Sequence, residues 1–147
     1  MSEFDVGALI VGSQRIVDEE GNWPNFHDAE ITDFNIWRGD VRPQDNVYIG
    51  PRIELRLTLC ALREPFAVLF NFEDCESIKM IGFDNQNPIM DLTFTVEERG
   101  FLNDGQPMTP YLCVHCLPAG EFELSFKCFH AEVRKIADSG NTDLAPV

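Results

Sequence analysis

Basic residues are scarce in this sequence. It has 11 lysines and arginines against 25 aspartates and glutamates, which gives a formal net charge of −14. Nucleic acids and anionic membranes are both bound through basic surfaces that meet phosphate groups. We therefore expect neither as a partner. The acidity is compatible with a basic protein partner, and equally with a role in solubility alone.

We also expect neither a secretory leader nor a membrane-spanning segment. The short apolar patch at residues 8–11 has no basic segment before it, and no apolar run reaches membrane-spanning length. These features predict a cytoplasmic protein. Because that compartment is reducing, we expect its five cysteines to be free thiols.

The common enzyme motifs are missing as well. There is no GxSxG nucleophile elbow, no glycine-rich phosphate loop and no cysteine in a protease signature. This pattern favours a protein that acts by binding over an enzyme. It gives no reason to expect a cofactor.

What the chain does contain is material for a core. It is 44% hydrophobic, includes 12 phenylalanines and has 147 residues, a common size for one domain. Residues 1–137 are expected to form that domain. The polar residues 138–147 are expected to fray.

Hydrophobic alternation predicts a mainly β (α+β) fold. Ser13 as N-cap and Gly21 as stop predict a short N-terminal helix between them. About seven strands follow, and a β-bulge near Cys128 would explain a change of phase in the last of them. Short connections favour an antiparallel sheet, curved or folded into a two-layer sandwich. The predicted strands are residues 29–38, 52–62, 66–72, 78–83, 90–96, 111–117 and 121–135.

Cysteine and histidine recur on two of these strands and form a candidate zinc set. If the strands pair in register, one cysteine and one histidine from each strand could meet as four soft ligands, as in a zinc-bearing domain or a metalloenzyme. A CxxC pair inside a strand is unusual for zinc, however, and reduced cysteine is a common core residue. The residues are Cys113, His115, Cys116, Cys128 and His130.

Acidic residues gather in short groups near predicted turns. A solvated surface is one interpretation and a binding face for a basic partner is the other. A small-ligand-binding β domain is a further alternative for the chain. The acidic candidates for partner binding are Glu73, Asp74, Glu76, Asp84, Glu97 and Glu98.

The most distinctive stretch leads from the helix into the first strand. His27, Asp28 and Glu30 could serve a metal or acid–base group, although adjacent residues of a strand point to opposite faces. Alternatively, Trp23 and Phe26 fill the core while His27 or Asp28 caps the turn. The stretch reads Trp23-Pro24-Asn25-Phe26-His27-Asp28-Ala29-Glu30.

This run resembles the W-P-x-F-H-D-A-E signature of the immunity protein 50 family. The resemblance implies a bacterial protein that binds a cognate polymorphic toxin tightly and stoichiometrically in the producer's cytoplasm. Because such a motif is shared by proteins that bind different toxins, we expect it to be a folding element, with specificity on exposed loops such as residues 38–50, 84–88 and 99–110. The net charge suggests a basic toxin, for instance a nuclease.

Overall fold

The structure, a computed structural model, describes residues 9–59 and 66–136 of the chain. The predicted tail at 138–147 and the end of the second predicted strand lie outside the described residues. The helix in this part of the chain is α1 (Ser13–Glu20). The strands are β1 (Glu30–Trp37), β2 (Asp40–Val41), β3 (Tyr48–Ile49), β4 (Arg52–Leu59), β5 (Phe66–Glu73), β6 (Glu76–Ile81), β7 (Ile89–Glu97), β8 (Tyr111–Pro118), β9 (Glu123–Cys128) and β10 (His130–Ile136).

Eight of these strands form two four-stranded antiparallel sheets, so the predicted mainly β, antiparallel fold is confirmed. Sheet 1 has the order β1-β4-β5-β10, and sheet 2 has the order β6-β9-β8-β7. The other two strands, β2 and β3, pair as a small ribbon within residues 38–50, which the sequence predicted as loop.

The two sheets pack face to face around one core. The ring of Phe70 on β5 lies 5.8 Å from that of Phe94 on β7, and Phe72 lies 4.8 Å from Phe126 on β9. Seven described phenylalanines are buried, which fits rings that fill a core. The period-two apolar residues of β4 and β5 supply the centre of this core.

The chain crosses from one sheet to the other at a corner, which comprises residues 73–76 and 128–130. There β5 leads into β6 and β9 leads into β10. The backbone N–H of Phe129 donates to Glu73 O at 3.2 Å, and that of Cys75 donates to Pro51 O at 2.8 Å. The predicted single strand 121–135 with a bulge was therefore wrong. Its apolar phase changes at Phe129 because the chain changes sheets.

The helix α1 packs beside the outer edge of β10. Residue Val11, just before it, exchanges backbone hydrogen bonds with Ala131 and Val133, which covers that edge of sheet 1. Gly12, at φ 90°, occupies the N-cap position, so the predicted N-cap Ser13 is instead the first helical residue. A Cβ at position 12 would collide with the Val133 carbonyl oxygen. Gly21 ends the helix as predicted.

Candidate functional site

The apolar residues of the eight-residue motif lie in the core between the sheets. The Trp23 ring packs edge-on against Phe26, Phe70 and Phe94, with centroid distances of 5.6, 6.3 and 6.5 Å. Phe26 and Ala29 are buried, and Pro24 is half-buried. Since Phe70 and Phe94 belong to opposite sheets, Trp23 ties the two layers together where β1 begins.

The polar residues of the motif contact backbone. His27 Nδ1 donates to Met90 O at 3.0 Å, and the His27 N–H is accepted by Asn25 Oδ1 at 2.8 Å. Asp28 has a φ of 63°, and its N–H donates to Ile89 O at 3.0 Å. These bonds hold the entrance of β1 against the start of β7. We call this end of the sandwich the far end.

Glu30 and the loop at residues 84–88 complete the far end. Glu30 Oε2 accepts the Asn87 N–H at 3.3 Å. The Asn87 side chain is buried, and its Nδ2 donates to Asp84 O at 2.7 Å and to Ile31 O at 3.4 Å. The loop predicted as a specificity surface is therefore fastened to β1. Because Glu30 is bound here, it does not join His27 and Asp28 in one cluster.

The structure does not bring the candidate zinc set together. Cys113 and His115 share the outer face of sheet 2, whereas Cys116 and Cys128 are buried on its inner face. His130 lies on β10 in the other sheet, so the predicted shared face of Cys128 and His130 was wrong. Across residues 9–59 and 66–136, no group of three or more histidine, cysteine or acidic side chains could hold a metal ion.

Burial also makes three of the thiols poor ligands and nucleophiles. It raises the pKa of Cys75 and of Cys116 to about 12. Burial raises the pKa of Cys128 as well, with the nearby Cys75 and Cys113 adding to the effect. Since the thiolate is the reactive and ligating form, these groups are inert at neutral pH. Cys113 differs because it is half-exposed on the outer face.

That outer face of sheet 2 forms an open groove of about 690 Å³, which we call the outer groove. Its floor carries small polar side chains such as Thr93, Thr95 and Ser125. At its rim, His115 Nε2 lies 2.7 Å from Glu123 Oε2. Such a groove has polar groups but little enclosure, so it can hold a small polar ligand only loosely.

Five of the six acidic candidates lie at the corner or beside it. Glu73, Asp74 and Glu76 belong to the corner itself. Lys127 lies opposite Glu76 in the sheet, and its Nζ is 2.7 Å from Glu97 Oε2 at the end of β7. Asp84 is the exception, because it lies in the loop fastened at the far end.

These five carboxylates outnumber the cations near them. Arg99 lies with its guanidinium 4.9 Å from the ring centres of Tyr111 and Phe129, and Arg52 lies over Trp37 beside the corner. With Lys127, these are three cations against five carboxylates. In the described part of the chain, no ion pair joins Glu73, Asp74 or Glu98 to a basic residue. The local charge is therefore negative.

Two pKa shifts report how these charges interact. The pKa of Tyr111 is raised, mainly because its hydroxyl donates to the Glu76 carboxylate. The pKa of Lys127 is also raised, mainly by its hydrogen bond to Glu97. Tyr111 and Lys127 therefore stay protonated at neutral pH. Their hydrogen bonds connect Glu76 to β8 and Glu97 to β9.

Two segments with exposed apolar side chains adjoin the acidic corner. The ribbon at residues 38–50 is tied to it by Gly50 N–H, which donates to Asp74 Oδ1 at 3.2 Å. The loop at residues 98–110 is tied to it by Arg99. We call the corner, Trp37, Glu97 and these two segments the corner surface. Its exposed apolar residues are Trp37, Val41, Val47, Phe101 and Leu102.

Sequence reasoning named these acidic residues but did not group them. They come together because the chain crosses between sheets at residues 73–76 and 128–130, and the change of phase at Phe129 was the only local signal of that crossing. The exposure of Phe101 and Leu102 has no such signal, since apolar residues are usually buried.

Fold and surface together define a two-layer antiparallel β domain with an acidic, partly apolar corner surface. Comparison of the chain with protein-family models, with curated proteins and with solved structures finds no match. The resemblance to the immunity protein 50 family thus rests on the motif at residues 23–30. No helix within the described residues is long and apolar enough to cross a membrane.

Proposed function

We propose that this chain is an immunity protein that neutralises a cognate bacterial toxin domain in the cytoplasm of the producing cell. It would act by stoichiometric occlusion through the corner surface, without catalysis. The observation that carries the proposal is the combination of five carboxylates and several exposed apolar side chains on one surface. Apolar anchors surrounded by charge are typical of protein–protein interfaces.

The position of the motif supports a separation between the residues that stabilise the fold and those that bind the partner. Its residues make core and backbone contacts at the far end, where Glu30 pairs with Thr58, whereas Trp37 at the other end of β1 pairs with Arg52 beside the corner. A shared folding element can thus be kept while the binding surface varies between proteins. This arrangement suits a family whose members recognise different toxins.

The excess of carboxylates also suits a basic partner such as a nuclease. Complementary charge speeds association and suppresses wrong partners, while desolvated apolar contacts slow dissociation. Exposed pairs such as Lys127 with Glu97 add little stability. We therefore assign the corner carboxylates to recognition.

The test replaces three corner carboxylates by the isosteric amides, as Glu73→Gln, Glu76→Gln and Glu98→Gln in one variant. The probe is the C-terminal domain encoded by the gene immediately upstream. We expect the association rate to fall at least about tenfold at low salt, because electrostatic steering changes rates by 10 to 10³. An unchanged rate would remove the corner surface from the proposal.

A matched control carries the same change of charge elsewhere. It combines Asp18→Asn, Glu19→Gln and Glu121→Gln, which replace three carboxylates outside the corner surface. We expect its association rate to fall much less than that of the corner variant, since its altered charges lie outside the corner surface and the interaction of two charges weakens with distance. An equal fall in the association rate of both variants would indicate that net charge alone, and not the corner surface, sets the rate.

The outer groove supports a second candidate, the binding of a small polar ligand. Its floor of small side chains leaves space beside the pair formed by His115 and Glu123. The test is a thermal-shift screen with nucleotides, sugars and amino acids against wild type and Ser125→Phe, which fills the floor. A shift in wild type that the variant loses would favour this candidate.

A further inference from the structure

The loop at residues 98–110 is a small, internally bonded structure. Phe101 and Pro107 form an antiparallel bridge. Leu102 N–H donates to Gln106 O at 2.7 Å, and Met108 N–H donates to Gly100 O at 2.9 Å. The loop therefore has a defined backbone, and its tip projects apolar side chains from a fixed position.

Two further sets of contacts fix this loop. At its base, Arg99 Nη1 donates to Thr109 O at 3.2 Å while the guanidinium stacks over Tyr111. At its tip, Asp104 Oδ1 accepts the Gln106 N–H at 3.0 Å, and Gly105 turns the chain with a φ of 87°. Ordering the loop on binding costs little, because these bonds already hold it.

At the tip of this fixed loop, Phe101 is 75% exposed and Leu102 is 51% exposed. Phe101 is the most exposed large apolar side chain in the described part of the chain. Its ring contributes little to the protein's own core. A large apolar group on a preorganised backbone is what a binding hot spot requires.

We infer that Phe101 is the apolar anchor of the interface, and that it inserts into an apolar pocket bordered by basic groups on the toxin domain. This inference rests on the proposed function. The occupant is a basic partner and not a second copy of the chain, because two copies would bring the corner carboxylates together at a net charge of −14 each. Leu102 beside it would widen the contact.

The experiment measures the Kd of three proteins for the upstream-encoded toxin domain by calorimetry: wild type, Phe101→Ala and Phe83→Ala. Phe83 is the matched control, since it is a 48% exposed phenylalanine outside the corner surface. We expect Phe101→Ala to raise the Kd at least about 30-fold, as truncation of a hot spot does. We expect Phe83→Ala to change it by less than about threefold.

A third variant tests whether the loop is preorganised. Gly105→Ala removes no apolar surface but strains a left-handed residue that nothing crowds. We expect its Kd to rise about fivefold to tenfold and its melting temperature to fall by a few degrees, because the strain also destabilises the folded state. An unchanged Kd for Gly105→Ala would contradict preorganisation and with it this inference.

The remaining outcomes separate the anchor from the proposed function. If wild type binds and Phe101→Ala binds equally well, the anchor is wrong and the function stands. If Phe83→Ala loses as much affinity as Phe101→Ala, the anchor is wrong as well. If wild type itself does not bind the toxin domain, the proposed function and the anchor both fail.

Discussion

Lys127 Nζ lies 2.7 Å from Glu97 Oε2, across the strand β8 that separates β9 from β7. This ion pair links the acidic end of β7 to the corner, since Lys127 also lies opposite Glu76 in the sheet. The lysine thereby reduces the repulsion among the carboxylates of the corner surface. It also makes the local charge less negative.

Removal of this lysine should therefore affect binding more than stability. We expect Lys127→Gln to leave the midpoint of urea unfolding almost unchanged, because exposed ion pairs contribute little. The association rate with a basic toxin domain should rise about twofold to fivefold at low salt. Urea unfolding and stopped-flow binding measure the two quantities. A slower association would show that Lys127 itself contacts the partner.

His27→Ala should lower stability and leave binding intact. It removes the hydrogen bond that Nδ1 donates to Met90 O, which contributes about 0.5–1.5 kcal/mol. We expect urea unfolding to show a loss of that size and calorimetry to show an unchanged Kd for the toxin domain. Weakened binding with unchanged unfolding would place His27 in the interface and contradict the structural role of the motif.

Asn87→Ala should be more harmful than its position in a loop suggests. Its side chain bonds Asp84 N and O and Ile31 O, and the residue is only 3% exposed. The variant leaves those backbone groups without partners, so we expect a loss of about 2–3 kcal/mol in urea unfolding. Asn85→Ala in the same loop is the control, and its side chain is exposed. Equal effects would contradict the fastening of this loop to β1.

The buried thiols predict a loss of stability in alkali. Cys75 and Cys116 have an ordinary pKa of 9.0, which burial raises to about 12 in the folded chain. Above pH 9 the unfolded chain releases these protons while the folded chain keeps them, so unfolding becomes easier as pH rises. Urea unfolding of wild type and Cys116→Ser between pH 7 and about 10.5 tests this. A decline equally steep in the variant would contradict it.

Exposure separates Cys113 from these thiols. We expect Cys113→Ser to remove one thiol that reacts rapidly with an aromatic disulfide reagent in the folded protein, because Cys113 is half-exposed in the outer groove. Cys116→Ser should remove none, since that thiol is buried and protonated. If Cys116→Ser also removed a rapidly reacting thiol, the burial of the inner face would be contradicted.

Local pattern was sufficient to predict individual strands. The alternation around Leu55 and Leu57 marks a strand with an inner face, and that of Leu92 and Phe94 marks another. Both lie in antiparallel sheets as predicted. The pattern could not reveal which strands pair with which, because pairing depends on contacts distant in the sequence.

The predictions that were wrong also depended on contacts distant in the sequence. A change of apolar phase at Phe129 fits a bulge or a change of sheet equally well, and only the pairing of His130 with Glu73 distinguishes them. Ser13 has the better N-cap side chain, yet Gly12 takes that position because the Val133 carbonyl leaves no space for a Cβ. The grouping of acidic residues at the corner could not be predicted from local sequence pattern either, because it exists only once both sheets have formed.

The most direct test of the account is gel filtration of the chain mixed with the C-terminal domain encoded by the gene immediately upstream. Occlusion through the corner surface predicts a one-to-one complex in which the toxin domain is inactive. The Phe101→Ala variant should form that complex less completely at the same concentration. If the two proteins elute separately while both are folded, the immunity function is contradicted, and the outer groove becomes the better candidate site.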